Sequence, residues 1–521
     1  MNYLKLEAKI LDWYKKIPLG IKKSLVLSFL IINFAFLFHS INFMFGDHDW
    51  LYVRGGTFWK EGSFEGRPLH FVLQGIFFNG QILPILNNIL SFFALSLSGV
   101  MLAKYWKIPV STLNYTLFSV LIAVLPYTLV WLYYAKDALI NLCLPLIAIS
   151  ALVISEKAST NKKIYLHILA QLLFVFAFSS YMAIISYIGI CVIGKVVFTY
   201  IYEDKSFISV VKQNIYSVLD VFVAILIFVV ILKIVPPTTG YNTNLISIDY
   251  VLPKLKDTLV AMFMQFVVTL PFMDIKFKIL LLILSFIGFV IMLHKGGYNK
   301  FLPLICLGFV ILFISKFTYF ISEQRGQILM QMEDFAYVPR LDFYSLPYLY
   351  AFFIAPILFL PEQKSKKILV GILIIITFMS IVRVMYAQKV WKFGFDAEMK
   401  AHERIVSRLE QIPEFDSNRK YRLLQIGTLS LRKNYYTKSI NEKVSLDLLE
   451  TSFTPQYMSQ IVYNFYYPKD IFYTSVGVKQ LSSRGLEYIK YKAKPWPSQE
   501  SIFIDDDIII IVLDDSIYKY R

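Results

Sequence analysis

The chain has 521 residues, of which 57% are hydrophobic and only 17% are charged, and its mean hydropathy is +0.57. These values exclude an ordinary soluble globular protein and indicate a protein with several membrane spans. The formal net charge of +16 does not indicate a nucleic-acid partner, because the positive residues gather at the ends of apolar segments, where they set membrane topology.

The first 23 residues are basic and amphipathic, and an apolar run over residues 24–45 follows them. That run has the length of a complete span and carries no small-residue cleavage site, so we expect a retained helix and no signal peptide. The basic flank predicts a cytoplasmic amino terminus. The loop over residues 46–70 would then lie on the outer face of the membrane.

Further apolar runs bring the prediction to about eleven spans. The run over 164–201 is too long for one helix across a bilayer, so we divide it at residues 179–181. A shorter apolar piece over 259–272 cannot cross and is expected to lie in the membrane interface. The other predicted spans cover residues 81–103, 112–134, 138–155, 215–235, 276–293, 301–321, 343–361 and 367–388.

Residues 389–521 contain no apolar run of span length and are predicted to form a small α/β domain. A helix is expected over 396–411, and strands are expected over 421–427 and 508–513. After eleven spans this domain lies on the same side of the membrane as the first loop. The chain is therefore predicted to consist of a transmembrane module, residues 1–388, and an outer domain, residues 389–521.

The first outer loop contains two carboxylates, Asp47 and Asp49, beside the bilayer. A carboxylate in surroundings of reduced dielectric holds a proton more readily, which suits a general base that takes a proton from a hydroxyl. An acidic pair with one residue between is a weak motif, however. The alternative is that these residues cap a following helix or pair with Arg54 or Arg67.

Arginines and a lysine on the same predicted face are candidate phosphate ligands. Arg67 and Arg340 come first, since a guanidinium forms two parallel hydrogen bonds with phosphate oxygens. For each of them, pairing with lipid head groups is the alternative. Lys136, Asp137 and Arg325 lie in neighbouring outer loops, where a solvated loop charge is the alternative.

Metal and nucleotide chemistry have little support in the sequence. His48 and His70 flank the first loop without further ligands at zinc spacing, and no glycine-rich phosphate loop, Ser/His/Asp arrangement or dinucleotide fingerprint is present. The three cysteines lie inside apolar stretches, so we expect neither a metal cluster nor a disulfide. They are Cys143, Cys191 and Cys306.

The loop residues and several positions downstream resemble one family. The chain is similar to the serotype-converting O-antigen glucosyltransferases, integral membrane enzymes of the GT-C class that take glucose from a polyprenyl-phosphate carrier. The specific motif is confined to about residues 46–69, where the family more often has two adjacent acidic residues and this chain has His48 between them. The matching segments are Asp47-His48-Asp49-Trp50, Arg54-Gly55-Gly56, Gly66-Arg67-Pro68-Leu69, Leu125-Pro126-Tyr127, Ser180-Tyr181 and Pro339-Arg340.

The resemblance implies a GT-C-like α-helical membrane fold and an inverting glycosyltransferase on the periplasmic face of a bacterial inner membrane. An acidic residue of the first outer loop would deprotonate the acceptor hydroxyl, which attacks the anomeric carbon of the lipid-linked sugar. Basic residues would hold the departing polyprenyl phosphate, so that charge neutralisation replaces a strong general acid. The implied partners are a polyprenyl-phosphate-linked sugar, a polysaccharide acceptor such as O-antigen, and membrane lipids. No cofactor is implied, although a divalent cation is compatible.

The resemblance also assigns roles to residues. Asp49 is the first choice for the general base and Asp47 for acceptor positioning, although their order stays open. Arg67 and Arg340 would hold the phosphate, with Lys136 as a further candidate. The residues expected to position the sugar or the acceptor are Trp50, Arg54, His48 and Asp137.

Two alternatives remain beside this interpretation. One is a GT-C transferase for another group, such as arabinose, mannose or phosphoethanolamine. The other is a transporter or flippase for polysaccharide or lipid-linked sugar, which should show charged or broken helices at mid-membrane in matched halves. The chain keeps most of its charge in predicted outer loops and ends in a polar domain, which favours the enzyme.

Overall fold

The described part of the chain is mostly helical, with a helical bundle followed by a small sheet near the carboxyl terminus. The computed structural model describes residues 12, 15–42, 44, 67, 75–76, 81–203, 205–234, 251–267, 275–321, 342–427 and 456–520. The helices of the bundle are α1 (Leu19–Ala35), α2 (Leu37–Ile41), α3 (Pro84–Tyr105), α4 (Thr112–Val124), α5 (Tyr127–Tyr133), α6 (Ala135–Asn161), α7 (Ile164–Ser180), α8 (Ile184–Tyr202), α9 (Phe207–Ile234), α10 (Val251–Val267), α11 (Ile275–Gly296), α12 (Tyr298–Ser315), α13 (Phe317–Ile321), α14 (Leu346–Leu358) and α15 (Lys364–Leu409).

Seven helices in the described ranges are long and apolar enough to cross a membrane, and the count is eight if the bent pair α4 and α5 forms one span. Helices of this kind indicate a membrane protein. Both α7 and α14 are apolar but shorter. The count of about eleven spans therefore stays a prediction.

Two breaks divide long apolar runs of the bundle. The predicted single span over 112–134 bends by 52° between α4 and α5. The reason is Pro126: the residue before it, Leu125, adopts the extended backbone that a following proline favours. The division predicted at residues 179–181 is confirmed, since α7 ends at Ser180 and α8 begins at Ile184.

The last helix of the bundle, α15, runs without a break for 46 residues. We had predicted a span over 367–388 and a separate helix over 396–411, but both belong to α15. The boundary predicted between residues 388 and 389 therefore lies inside one helix. Val390 and Trp391 are still buried in the core of the bundle, while Ile405 and Leu409 are buried in the carboxyl-terminal domain. Apolar residues on both sides of the boundary keep the helix continuous.

The contact between α11 and α14 depends on Gly288. A Cβ atom added there would lie 1.9 Å from the carbonyl oxygen of Phe353, a backbone atom that cannot turn aside. We expect Gly288→Ala to lower the free energy of unfolding by about 1–3 kcal/mol, as overpacking does. Thermal unfolding in detergent measures the loss, with Gly371→Ala as the control because a Cβ there meets no atom within 4 Å. Equal midpoints for both variants would contradict this prediction.

The carboxyl-terminal domain is built on a four-stranded sheet in the order β2-β1-β4-β3. Strand β1 pairs in parallel with β2 and β4, and β3 pairs with β4 in antiparallel orientation. The predicted strands over 421–427 and 508–513 are confirmed as β1 and β4. The elements are β1 (Tyr421–Ile426), α16 (Gln456–Phe465), β2 (Phe472–Ser475), α17 (Ser483–Glu487), a π-helical turn (Tyr488–Lys492), β3 (Ile502–Asp505), β4 (Ile508–Val512) and a 3₁₀ helix (Asp515–Tyr520).

The sheet has an apolar layer on each face. Ile509 of β4 shares one core with Ile405 and Leu409 at the end of α15. The neighbouring residue Ile510 belongs to the opposite core, which contains Ile489 and Ile517. Alternate residues of a strand point to opposite faces. The π-helical turn and the 3₁₀ helix therefore cover the face that points away from α15.

A partly exposed ion pair joins β1 to the turn between β3 and β4. The Nε of Arg422 donates to Asp507 over 2.7 Å, and this hydrogen bond lowers the pKa of the Asp507 carboxyl below its ordinary value. The pair therefore stabilises the domain above the ordinary pKa of a carboxyl, about 4, and the contribution is lost as the pH falls through the lowered pKa of folded Asp507. We expect Asp507→Asn to cost less than about 1 kcal/mol at pH 7, and the cost should shrink as the pH falls below about 4. Unfolding of both proteins over this pH range tests this, and a cost that does not change with pH would contradict it.

Candidate functional site

Of the nine residues predicted for the site, three lie in the described part of the chain. Arg67 is described by itself, and Lys136 and Asp137 lie in the first turn of α6. The remaining six lie outside the described residues, and their roles stay predictions. They are Asp47, His48, Asp49, Trp50, Arg54 and Arg340.

Arg67 lies against a group of aromatic rings at one end of the bundle. Its guanidinium is 4.7 Å from the centre of the Tyr181 ring, at the break between α7 and α8. The Tyr181 ring contacts Trp131 of α5 at 5.1 Å and Tyr344 at 5.6 Å between centroids. A guanidinium on an aromatic face is held in position while its edge can still bind an anion. We call this end of the bundle the Arg67 end.

Asp137 approaches the same aromatic group from α6. It is only 6% exposed, so it is not the solvated loop charge that we had considered as the alternative. The Tyr344 hydroxyl donates toward the carbonyl oxygen and the Oδ1 atom of Asn141, each 3.0 Å away, and Asn141 in turn donates to the Asp137 carbonyl over 2.9 Å. Arg67 and Asp137 both act electrostatically on Tyr344. The fold thus brings together two predicted residues that are 70 positions apart.

A second charged group at this end was not predicted as part of the site. The ammonium of Lys316, after α12, lies 2.6 Å from the carboxylate of Asp342, and both side chains are 5% exposed. Lys278, in the first turn of α11, is 1% exposed and interacts electrostatically with both. The available signal was that Lys278 and Lys316 fall inside predicted spans, where an ionisable residue usually has a function.

The two charged groups are joined by short contacts. The Thr318 hydroxyl lies two residues beyond Lys316, and it donates to the Ala183 carbonyl, two residues beyond Tyr181, over 3.4 Å. Asp342, the partner of Lys316, likewise lies only two residues before Tyr344, whose ring contacts Tyr181. The aromatic group around Arg67 and the charged group formed by Lys316, Asp342 and Lys278 are therefore neighbouring parts of one region around the break between α7 and α8.

Helix α10 adds a further buried cation near Lys316. Lys254 is 6% exposed, and its ammonium lies 4.0 Å from the centre of the Tyr319 ring in α13. We had predicted a span that ends at residue 235 and a separate interfacial piece over 259–272. The helix instead covers Val251–Val267 and packs against α12 and α13.

A polar cluster fixes the chain just before the predicted acidic loop. His39 of α2 stacks on Trp391 at 5.1 Å, and its backbone N–H donates to the Oε1 atom of Gln388 over 2.9 Å. The Gln388 amide nitrogen also donates to the Ala35 carbonyl over 2.8 Å. We did not single out His39 and Gln388 from the sequence. The available signal was that both are polar side chains within or beside predicted spans. Helix α2 ends six residues before Asp47, so contacts with α15 hold the last described helix before the predicted acidic loop.

The region contains cationic groups that can bind an anion at one end of the bundle. Its cations come from separate segments and are largely withdrawn from water, which strengthens their interaction with a phosphate. No three His, Cys, Asp or Glu side chains form a metal-binding group among the described residues. Comparison of the chain with models of known protein families and with curated proteins finds no match.

Proposed function

We propose that the protein is an inverting glycosyltransferase of the GT-C class that moves glucose or a related hexose from a polyprenyl-phosphate carrier to a cell-surface polysaccharide. The Arg67 end of the bundle would face the periplasm of a bacterial inner membrane, together with the carboxyl-terminal domain. No cofactor takes part in the proposed reaction.

The observation that carries this proposal is the set of cations at the Arg67 end. Lys278 and Lys316 are buried beside Asp342, and Arg67 lies across the break between α7 and α8. A buried lysine is costly unless it has a partner or a function. The phosphate of a membrane-anchored carrier is the kind of anion that these cations would bind if this end of the bundle lies at the bilayer surface, as we propose.

The proposed mechanism divides the work between the loop and the bundle. Asp49, or Asp47, takes the proton from the acceptor hydroxyl as the oxygen attacks the anomeric carbon. The bond from that carbon to the phosphate oxygen breaks on the opposite side, and the configuration inverts. Negative charge grows on the departing phosphate, and Arg67 and Lys316 stabilise it most strongly at that point. The Tyr181 ring, on which the Arg67 guanidinium lies, would keep Arg67 oriented toward the phosphate.

Arg67→Ala tests the phosphate role. We expect kcat/KM for the lipid-linked donor to fall by roughly 10- to 100-fold, the range for a lost hydrogen bond to a charged group. The measurement is transfer of labelled sugar from synthetic polyprenyl-phosphate-glucose to lipopolysaccharide in membranes with matched expression. Lys157→Ala is the control, because Lys157 is exposed near the far end of α6. Equal kcat/KM in Arg67→Ala and wild type would remove Arg67 from the site.

One observation favours transport as a second candidate function. Asp220 of α9 is 3% exposed and accepts hydrogen bonds from Ser155, His167 and Gln171 at 2.6–2.8 Å. A buried carboxylate inside a candidate span is the type of residue that transporters use for proton coupling. Transport of a lipid-linked sugar by reconstituted wild type, lost in Asp220→Asn and without sugar transfer, would support that alternative.

A further inference from the structure

A cluster of exposed tyrosines lies on the carboxyl-terminal domain. Tyr491 belongs to the π-helical turn (Tyr488–Lys492) and is 67% exposed, and Tyr518 and Tyr520 belong to the 3₁₀ helix (Asp515–Tyr520) and are each 48% exposed. Large aromatic rings are seldom left this exposed in groups unless the surface binds a partner. We call these three residues and their flanking lysines the tyrosine patch.

The two segments of the tyrosine patch form one surface. The π-helical turn packs against the 3₁₀ helix. Ile489 and Ile517 anchor the segments in the same apolar core, on the sheet face that points away from α15. The tyrosines are thus presented by segments whose other sides are buried. A sequence pattern does not show this surface, because 26 residues separate Tyr491 from Tyr518.

The tyrosine patch carries an excess of positive charge. Lys490, Lys492 and Lys519 are exposed, and they form no ion pair with a described residue, whereas the nearby Lys494 pairs with Glu500. The Lys490 ammonium lies 5.2 Å from the centre of the Tyr491 ring. Within residues 483–492 and 515–520, four exposed cations stand against two exposed acids. The cations are Arg484, Lys490, Lys492 and Lys519, and the acids are Glu487 and Asp515.

We propose that the tyrosine patch binds an anionic polysaccharide. Tyrosine rings stack on the apolar faces of sugar rings and offer hydroxyls to sugar oxygens, while the lysines pair with carboxylate or phosphate groups along the chain. Under the function proposed above, on which this inference rests, the ligand is the acceptor. The patch would hold acceptor units beyond the one that reacts and raise their concentration at the active site.

The position of the domain favours a polymer over the lipid surface itself. Helix α15 continues past Trp391, which is still buried in the core of the bundle, to Ile405, where the core of the domain begins. Fourteen residues of α-helix extend about 21 Å. The tyrosine patch then lies on the opposite side of the sheet from α15. A polymer that extends from the membrane can reach this surface.

Binding to the full-length protein in nanodiscs tests the proposal without any sugar donor. The probes are a fluorescent polygalacturonate oligosaccharide, neutral dextran of equal length and vesicles of anionic phospholipid. We expect wild type to prefer polygalacturonate over dextran and to bind it more weakly as salt rises. The triple variant Tyr491→Ala/Tyr518→Ala/Tyr520→Ala should bind it at least 10-fold more weakly. Tyr473→Ala is the matched control, because Tyr473 is 51% exposed on β2, outside the patch.

The outcomes separate this inference from the proposed function. Equal binding of polygalacturonate by the triple variant and wild type would overturn the inference, as would binding of the vesicles without binding of either saccharide. Unchanged unfolding midpoints would show that the variants keep their fold. Loss of binding in the triple variant, in a protein that transfers no sugar, would support the patch and reject the enzyme. Normal sugar transfer, together with equal binding by the triple variant and wild type, would support the enzyme and reject the patch.

Discussion

The Asp49→Asn variant is expected to transfer sugar at least about 100-fold more slowly than wild type, because removal of a general base typically costs this much or more. The amide keeps the size of the side chain but accepts no proton from the acceptor hydroxyl. Transfer of labelled sugar from synthetic polyprenyl-phosphate-glucose to lipopolysaccharide, in membranes with equal protein, measures the effect.

Asp47→Asn is the matched comparison, since it makes the same change two residues earlier. If Asp47 only positions the acceptor, its variant should raise KM for the polysaccharide more than it lowers kcat. The reverse pattern would assign the base to Asp47. Full activity in both variants would mean that the two carboxylates are structural, and the proposed mechanism would fail.

Lys316→Met is expected to destabilise the protein by about 3–5 kcal/mol, the cost of removing one partner of a buried ion pair. The Asp342 carboxylate, 4% exposed, would lose the ammonium that now lies 2.6 Å away. The unfolding midpoint in detergent measures this effect. Lys366→Met is the control, because its partner Glu362 has a 76% exposed side chain that water can solvate. A loss of similar size in both variants would contradict the prediction.

The double variant Lys316→Met/Asp342→Leu separates stability from function. Replacing a buried pair by apolar residues is often neutral or stabilising, so the midpoint should return toward that of wild type. Sugar transfer should stay low, because the cation that would hold the departing phosphate is absent. Recovery of both properties would show that the pair serves only to stabilise the fold.

Local patterns in the sequence predict much of the helical framework. The break at residues 179–181 follows from length, since a largely apolar run of 38 residues exceeds one bilayer crossing. Strands β1 and β4 follow from short β-branched and apolar runs. The continuity of α15 was missed because the composition changes near residue 388, whereas the helix is maintained by burial of Trp391 on one side and Ile405 on the other.

The candidate site was predictable only in part. The arginine and carboxylate of the predicted outer loops stand out because charge beside a membrane is costly, and Arg67 and Asp137 both act electrostatically on Tyr344. The pairing of Lys316 with Asp342 was not foreseen, because Lys278 and Lys316 lie in apolar runs and their partner follows 26 residues after Lys316. Nothing local in the sequence specifies which charges meet.

Composition and hydrophobic periodicity alone determine that this chain has apolar helices able to cross a membrane and a small sheet after them, because both depend on the transfer of contiguous side chains out of water. The tertiary structure decided which polar side chains share a site. Lys278, Lys316, Asp342, Arg67 and Tyr181 come from five separate segments, and their proximity depends on how the helices pack, which local propensity does not encode.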